Sequence, residues 1–182
     1  MIKKIALIVG CIILVAAGAI LGIAATIADT FRVQRAALID APPEMIFAEL
    51  QNLHSWKSWS PYEDKDPQMK RTFSGPESGK GATYEWNGND EVGQGKMEIT
   101  YVEEPTQMCV ALHFIKPFEG DNNVVFTLLP DNGKTRVTWA MDGKSPFISK
   151  IMQVFMNMDE MCGKDFEKGL AKLKKQMESS PG

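Results

Sequence analysis

The last long stretch of the chain, Pro146 to Met177, constrains the fold most. It reads PFISKIMQVFMNMDEMCGKDFEKGLAKLKKQM. Apolar residues recur at Phe147, Ile151, Val154, Phe155, Met158, Met161, Cys162, Phe166, Leu170, Leu173 and Met177. Steps of three and four place them on one helix face, so the spacing predicts a single helix roughly 45 Å long. Its only sequence neighbours are strand-like, so it has to lie across a sheet. The expectation is that sheet and helix together enclose an apolar cavity.

The second constraint lies at the other end. Residues 5–28, IALIVGCIILVAAGAILGIAATIA, carry no charge. That run exceeds the roughly 20 residues needed to cross a bilayer and the h-region of a signal peptide. It reads as an uncleaved anchor. Cleavage after Ala28, with Thr26 and Ala28 both small, is one rival. Lipidation at Cys11, behind Ile8-Val9-Gly10, is another, but the residues after Cys11 stay apolar. Gly18 and Gly22 form a GxxxG pair, a weak signal in so small-residue-rich a run. Lys3 and Lys4 precede the span, and Arg32 and Arg35 follow it behind Asp29. The slight bias favours a cytoplasmic N-terminus and an extracytoplasmic soluble domain. The expected division is an anchor over 1–29, one domain over 30–178 and a disordered tail over 179–182.

The formal charge is −3, and without Lys3 and Lys4 the remainder stands at −5. An acidic domain with no basic block argues against a nucleic-acid partner. Of the three cysteines, Cys109 and Cys162 read as core thiols, or as a disulfide if the domain lies outside the cytoplasm. With only His54 and His113 beside them, no metal spacing exists. No cofactor motif occurs either.

Between the two ends the chain reads as a meander. Residues 31–39 alternate as a first strand. Pro42-Pro43-Glu44 opens a helix through Ile46, Phe47 and Leu50 that stops near Asn52. Trp56, Trp59 and Tyr62 then crowd one turn, which is expected to fold back as a lid or side wall. Strands follow at 69–74, 82–86, 91–102, 107–115, 122–129 and 135–141, separated by breakers such as Asn87-Gly88-Asn89-Asp90. Gly93 and Gly95 mark a bulge or a close backbone approach. Seven strands joined by hairpins make an antiparallel sheet.

The segments IDAPPEMIFAEL, LHSWKSWSPY, MKRTFSGPESGKGATYEWNGN, VGQGKM, FIKPF, TRVTWAM and MDEMCGKDFEKGL resemble the polyketide cyclase/dehydratase branch of the START-like (SRPBCC) superfamily. The resemblance covers residues 31–177. It implies an α+β helix-grip fold, a curved seven-stranded antiparallel sheet around a long C-terminal helix, here preceded by one transmembrane helix. The superfamily includes lipid carriers, hormone receptors, aromatase/cyclase domains and chaperone co-factors, so it leaves the activity open.

The residues show no nucleophile. There is no GxSxG, and in a strand Cys109 and His113 stand roughly 13 Å apart. Glu85, Glu98, Asp142, Asp159 and Glu160 are the carboxylates weighed for acid–base work, with Glu85 and Glu98 expected to face outward. Arg136 and Tyr84 are weighed as anchors for a polar head group. Met152, Met156, Met158 and Met161 suit a surface that accommodates variable apolar shapes. The expected cavity residues are Trp56, Trp59, Tyr84, Trp86, Phe114, Trp139, Phe155, Met158, Asp159 and Cys162. The expected partner is an apolar or amphipathic small molecule such as a lipid. The alternatives are a cofactor-free cyclase or dehydratase, with Asp159, Tyr84 or Glu85 polarising the ligand, and an interaction module with a filled core that docks through its WSPY loop.

Overall fold

The computed structural model describes residues 2–179; of the expected tail, 180–182 lie outside them. Helix α1 (Ile2–Thr26) carries the apolar run. Its stretch Leu7–Thr26 is long and apolar enough to cross a membrane, and almost none of it is buried against the rest of the chain. A signal sequence has the same properties.

Seven strands follow: β1 (Thr30–Ile39), β2 (Lys70–Ser74), β3 (Thr83–Asn87), β4 (Gln94–Glu103), β5 (Gln107–Lys116), β6 (Gly120–Asp131) and β7 (Lys134–Lys144). They form one antiparallel sheet in the order β1-β7-β6-β5-β4-β3-β2. All of it is hairpins except the long excursion from β1 to β2. That excursion holds α2 (Pro43–Gln51), α3 (Trp56–Trp59) and α4 (Pro61–Lys65). Proline opens α2 and α4, where its missing N–H costs nothing.

Side-chain alternation sets the two faces of the sheet. Val137, Trp139 and Met141 of β7, Val124, Phe126 and Leu128 of β6, and Met108 and Val110 of β5 all point inward and are buried. Gly93 has φ +64 and the β4–β5 pairing slips beside Gly95, as the glycines suggested. A Cβ on Gly95 would stand 2.5 Å from the Trp86 ring, so glycine is what lets that indole lie flat on β4.

The C-terminal helix departs from the expectation. It is two helices, α5 (Phe147–Gln153) and α6 (Met158–Ser179). Val154 caps the end of the first, and Asn157 caps the start of the second, its side-chain oxygen accepting from the N–H groups of Asp159 (3.0 Å) and Glu160 (3.3 Å). The break changes the phase of the apolar stripe. Leu170, Leu173 and Met177 are buried as expected, whereas Phe147, Phe155 and Met161 face solvent.

α6 lies along β1 and touches β7, α3 and α4. Arg35 of β1 clamps its first turns, donating to both oxygens of Asp159 (3.0 and 2.9 Å) and from Nε to Glu167 (2.7 Å). The guanidinium crosses α6 over Gly163, where any side chain would occupy its place. At the far end, Lys174 donates to the Leu38 carbonyl and Thr135 to that of Ala41.

α1 joins the domain at the start of β1. It packs on α5, and Ala24 near its end is fully buried. The Asp29 carbonyl accepts from the Ser145 N–H (2.7 Å), and the Asp29 carboxylate meets Lys150 Nζ at 2.5 Å.

Candidate functional site

Because α6 sits over β1 and β7, the inner face of the sheet divides into two halves. Under α6, α3 and α2 it is filled with rings. Trp139 stacks on Phe166 (4.2 Å between centroids, planes 7° apart) and meets Phe126 at 5.2 Å and Trp59 at 5.6 Å edge-on. Trp56 closes the cluster against Trp59 at 4.9 Å. Trp56 and Trp59 of the aromatic turn are therefore core rather than lid. Sequence alone showed that three adjacent rings need burial, but not on which side of the helix. Trp56 donates to the Leu50 carbonyl (2.9 Å), whereas the indole N–H groups of Trp59 and Trp139 are buried without an acceptor.

The other half, β2 to β5, carries a second ring series. His54 stacks on Phe73 (3.9 Å), Phe73 on Tyr84 (4.9 Å), Tyr84 leans on Trp86 (6.1 Å) and Trp86 meets Phe114 edge-on (5.8 Å). On the same face Met97, Leu112 and Phe114 remain half-buried. Met158 and Cys162 of α6 and Tyr62 of α4 are half-buried too and pack on the same core. The pairing of Phe114 with Gly120, and of Asn122 with Gly143, places this incompletely covered region at the end of the sheet where α1 leaves.

Its polar groups come mainly from α4. Glu63 is buried, meeting Arg71 Nη2 at 2.5 Å and Nε at 2.8 Å through one oxygen and accepting from the Tyr84 hydroxyl (2.8 Å) through the other. Lys65 pairs with the buried Asp165 of α6 at 2.6 Å. No described residue bonds the Tyr62 hydroxyl, whose neighbours include Cys162 and Asp165. Among the described residues no group of His, Cys, Asp and Glu side chains has the arrangement of a metal site.

Of these, Tyr84 and Cys162 were expected from sequence as cavity residues and Tyr62 as part of the aromatic turn, whereas Glu63, Lys65, Arg71 and Asp165 were missed. Arg71 did carry a signal. It shares the phase of Phe73 on β2, so a cation on an apolar face required a buried anion. Asp165 stood within the buried stripe of α6 in the same way.

Other expected site residues lie elsewhere. Phe155 is 69% exposed, displaced by the break between α5 and α6. Asp159 is an exposed partner of Arg35. Glu85 and Glu98 face outward, where with Lys96, Thr83 and His113 they line a polar groove of about 460 Å³ on the solvent face. Arg136 pairs with Asp131 at 2.5 Å, exposed at the opposite end, and Asp142 pairs with Arg32. The cysteines are free. Cys109 points outward from β5 between the inward Met108 and Val110, on the side of the sheet away from α6, so it cannot reach Cys162.

Beside its two ion pairs, the site holds its phenols and thiol neutral. Burial pushes the Tyr62 phenol far up, reinforced by Cys162 and Asp165. Burial and then the bond to Glu63 raise Tyr84, and burial raises the Cys162 thiol. A group that must stay protonated in the folded chain binds protons more tightly there than when unfolded. Stability is thus complete below the ordinary thiol and phenol values, about 8.5 and 10, and falls as pH rises past them. The third tyrosine, Tyr101, is raised by its bond to Glu103. In an alkaline titration of the full chain, the exposed Tyr101 is expected to ionise first, and the phenolate absorbance of Tyr62 and Tyr84 to appear only together with unfolding. All three phenolates appearing with the fold intact would contradict this account of the site.

The sequence model of a family described as polyketide cyclase/dehydrase and lipid transport matches residues 30–178. The chain belongs to that family. Solved structures of the same fold include protein CV1439 from Chromobacterium violaceum, 15% identical, with a TM-score of 0.59 over 84% of this chain and 99% of that one. The Aha1 dimer from Colwellia psychrerythraea is 18% identical, with a TM-score of 0.60 over 84% and 99%. Ara h 8.0201 is 10% identical, with a TM-score of 0.56 over 83% and 99%. These identities establish the helix-grip fold alone. No curated protein matches the chain in sequence.

Proposed function

We propose that this family member is a membrane-anchored binding protein for an apolar or amphipathic, lipid-like small molecule. The observation that carries the reading is the half-buried inner face at Met97, Leu112 and Phe114, which α6 leaves uncovered at the end of the sheet where α1 emerges. A ligand there loses apolar surface to water at roughly 25 cal/mol per Å². The Tyr62 hydroxyl offers a bond to its polar end. The family description, which includes lipid transport, agrees with such a ligand.

Acid–base catalysis finds less support. Both oxygens of the inward carboxylate Glu63 are occupied, by Arg71 and by Tyr84, and Asp159 and Glu85 face solvent. In this reading α1 spans the membrane, and Lys3 and Lys4 keep its N-terminus cytoplasmic, so the domain stands on the extracytoplasmic side. The domain then corresponds to residues 30–178.

The test is native mass spectrometry of the full chain released from detergent, with organic extraction of whatever is bound. A defined apolar molecule is expected on the native chain and absent from Phe114→Arg, whose intact α1 still carries any lipid held by the helix itself. An unliganded mass after incubation with a membrane-lipid extract would overturn the proposal, and so would the same bound species on both chains.

A further inference from the structure

We infer that α5, the joint after it and the β5–β6 turn form a second membrane contact, seated in the headgroup–acyl boundary of the bilayer that α1 crosses. The inference rests on the anchored reading above and adds a second contact surface to it.

Exposed apolar side chains gather at one end of the domain. Ile115 and Phe118 at the β5–β6 turn, Phe147 and Ile148 of α5, and Phe155 and Met156 after it are between 42 and 69% exposed. Among the described residues outside α1, the remaining exposed large apolar side chains are Met161 in the first turn of α6, and Tyr101 and Leu129 well away from this end. Leu129 pairs with Arg136 and Tyr101 with Cys109, both toward the opposite end of the sheet. An exposed concentration of this kind marks an interaction surface.

α5 is inverted for a helix at a water boundary. Its one charged residue, Lys150, is buried with its ammonium on the exposed Asp29 carboxylate, while Phe147 and Ile148 face outward. A helix in contact with water shows the opposite arrangement.

What covers this surface follows from α1. The candidate span ends at Thr26, and Asp29 three residues later is bonded to Ser145 and Lys150. α5 is thereby held beside the point where α1 leaves the bilayer, and its apolar side meets the interface without any change in the fold. Aromatic and aliphatic side chains on a short helix with no free charge suit that depth.

The experiment uses the full chain reconstituted into phosphatidylcholine vesicles containing acyl-brominated lipid. The native tryptophans Trp56, Trp59, Trp86 and Trp139 are at most 8% exposed and give a constant background. Phe155→Trp and Phe118→Trp each add an indole to the proposed contact. Leu129→Trp, at a site 53% exposed, adds one at the far end. The added emission of the first two is expected to shift to the blue and to be quenched at least about twofold more than that of Leu129→Trp. Equal quenching of all three, in vesicles that keep the chain through flotation and alkaline carbonate, overturns the membrane contact and leaves the anchor standing. A blue shift without bromine quenching also overturns it, since another copy of the chain then covers the face. A chain that fails to float with the vesicles overturns both the anchor and the contact.

Discussion

Trp139→Ala is expected to destabilise the full chain by about 3–5 kcal/mol, the usual cost of truncating a buried aromatic ring. Trp139 is 3% exposed and joins three parts of the molecule. It rises from β7, stacks flat on Phe166 of α6 and meets Trp59 of α3 edge-on. The Gly169 backbone approaches so closely that a Cβ there would lie 2.8 Å from the ring. Truncation opens a void that the rigid sheet cannot close, and the neighbouring rings lose their contacts on one side. Domains of this size have about 5–15 kcal/mol in total, so the loss is a large share. Denaturant unfolding in mild detergent, followed by circular dichroism, measures it. A loss below about 1 kcal/mol would mean that the ring cluster collapses onto the void and is not the joint described here.

Glu63→Ala is the second large effect, and its cause is electrostatic. Glu63 and Arg71 are both largely removed from water, with side chains 6% and 16% exposed. Deleting the carboxylate leaves the guanidinium's charge unpaired, with only the Met69, Pro67 and Asp66 carbonyls to accept from it, and the Tyr84 hydroxyl without its acceptor. Breaking one side of such a pair costs about 3–5 kcal/mol, whereas replacing both partners by apolar residues of similar volume is often neutral or better. The double variant Glu63→Leu, Arg71→Met is therefore expected to recover most of the loss. Thermal unfolding of the three chains side by side is the measurement. If the single and double variants are equally destabilised, α4 is held by packing and the ion pair contributes little.

These two sites also show how differently the sequence exposes its parts. The strands were legible because a half-buried sheet imposes a period of two. Tyr84 and Trp86 face inward, and Thr83 and Glu85 outward, as their alternation requires. The cyclase resemblance by itself implies the helix-grip order. The break at 154–157 was less legible, because the threes-and-fours spacing runs through it without a gap. Its one local sign was Asn157 with Glu160 three residues on, the pattern of a helix start.

By itself, then, the sequence determined which residues form strands, which faces are apolar, where the chain turns and that one end is apolar enough to enter a bilayer. All of these are periodicities or compositions within a few residues, and backbone geometry converts them directly into structure. Only the tertiary structure decided what covers each face. Lys65 meets Asp165 from 100 residues away, and Arg35 reaches Asp159 across 124. α6 covers β1 and β7 and leaves the β4–β5 side half-open, and the one charge of α5, Lys150, is taken up by Asp29 just past the end of α1. Such pairings depend on the packing of elements far apart in the chain, where the lowest free energy is set by volume and by the partner each buried charge must find. No local pattern carries that information.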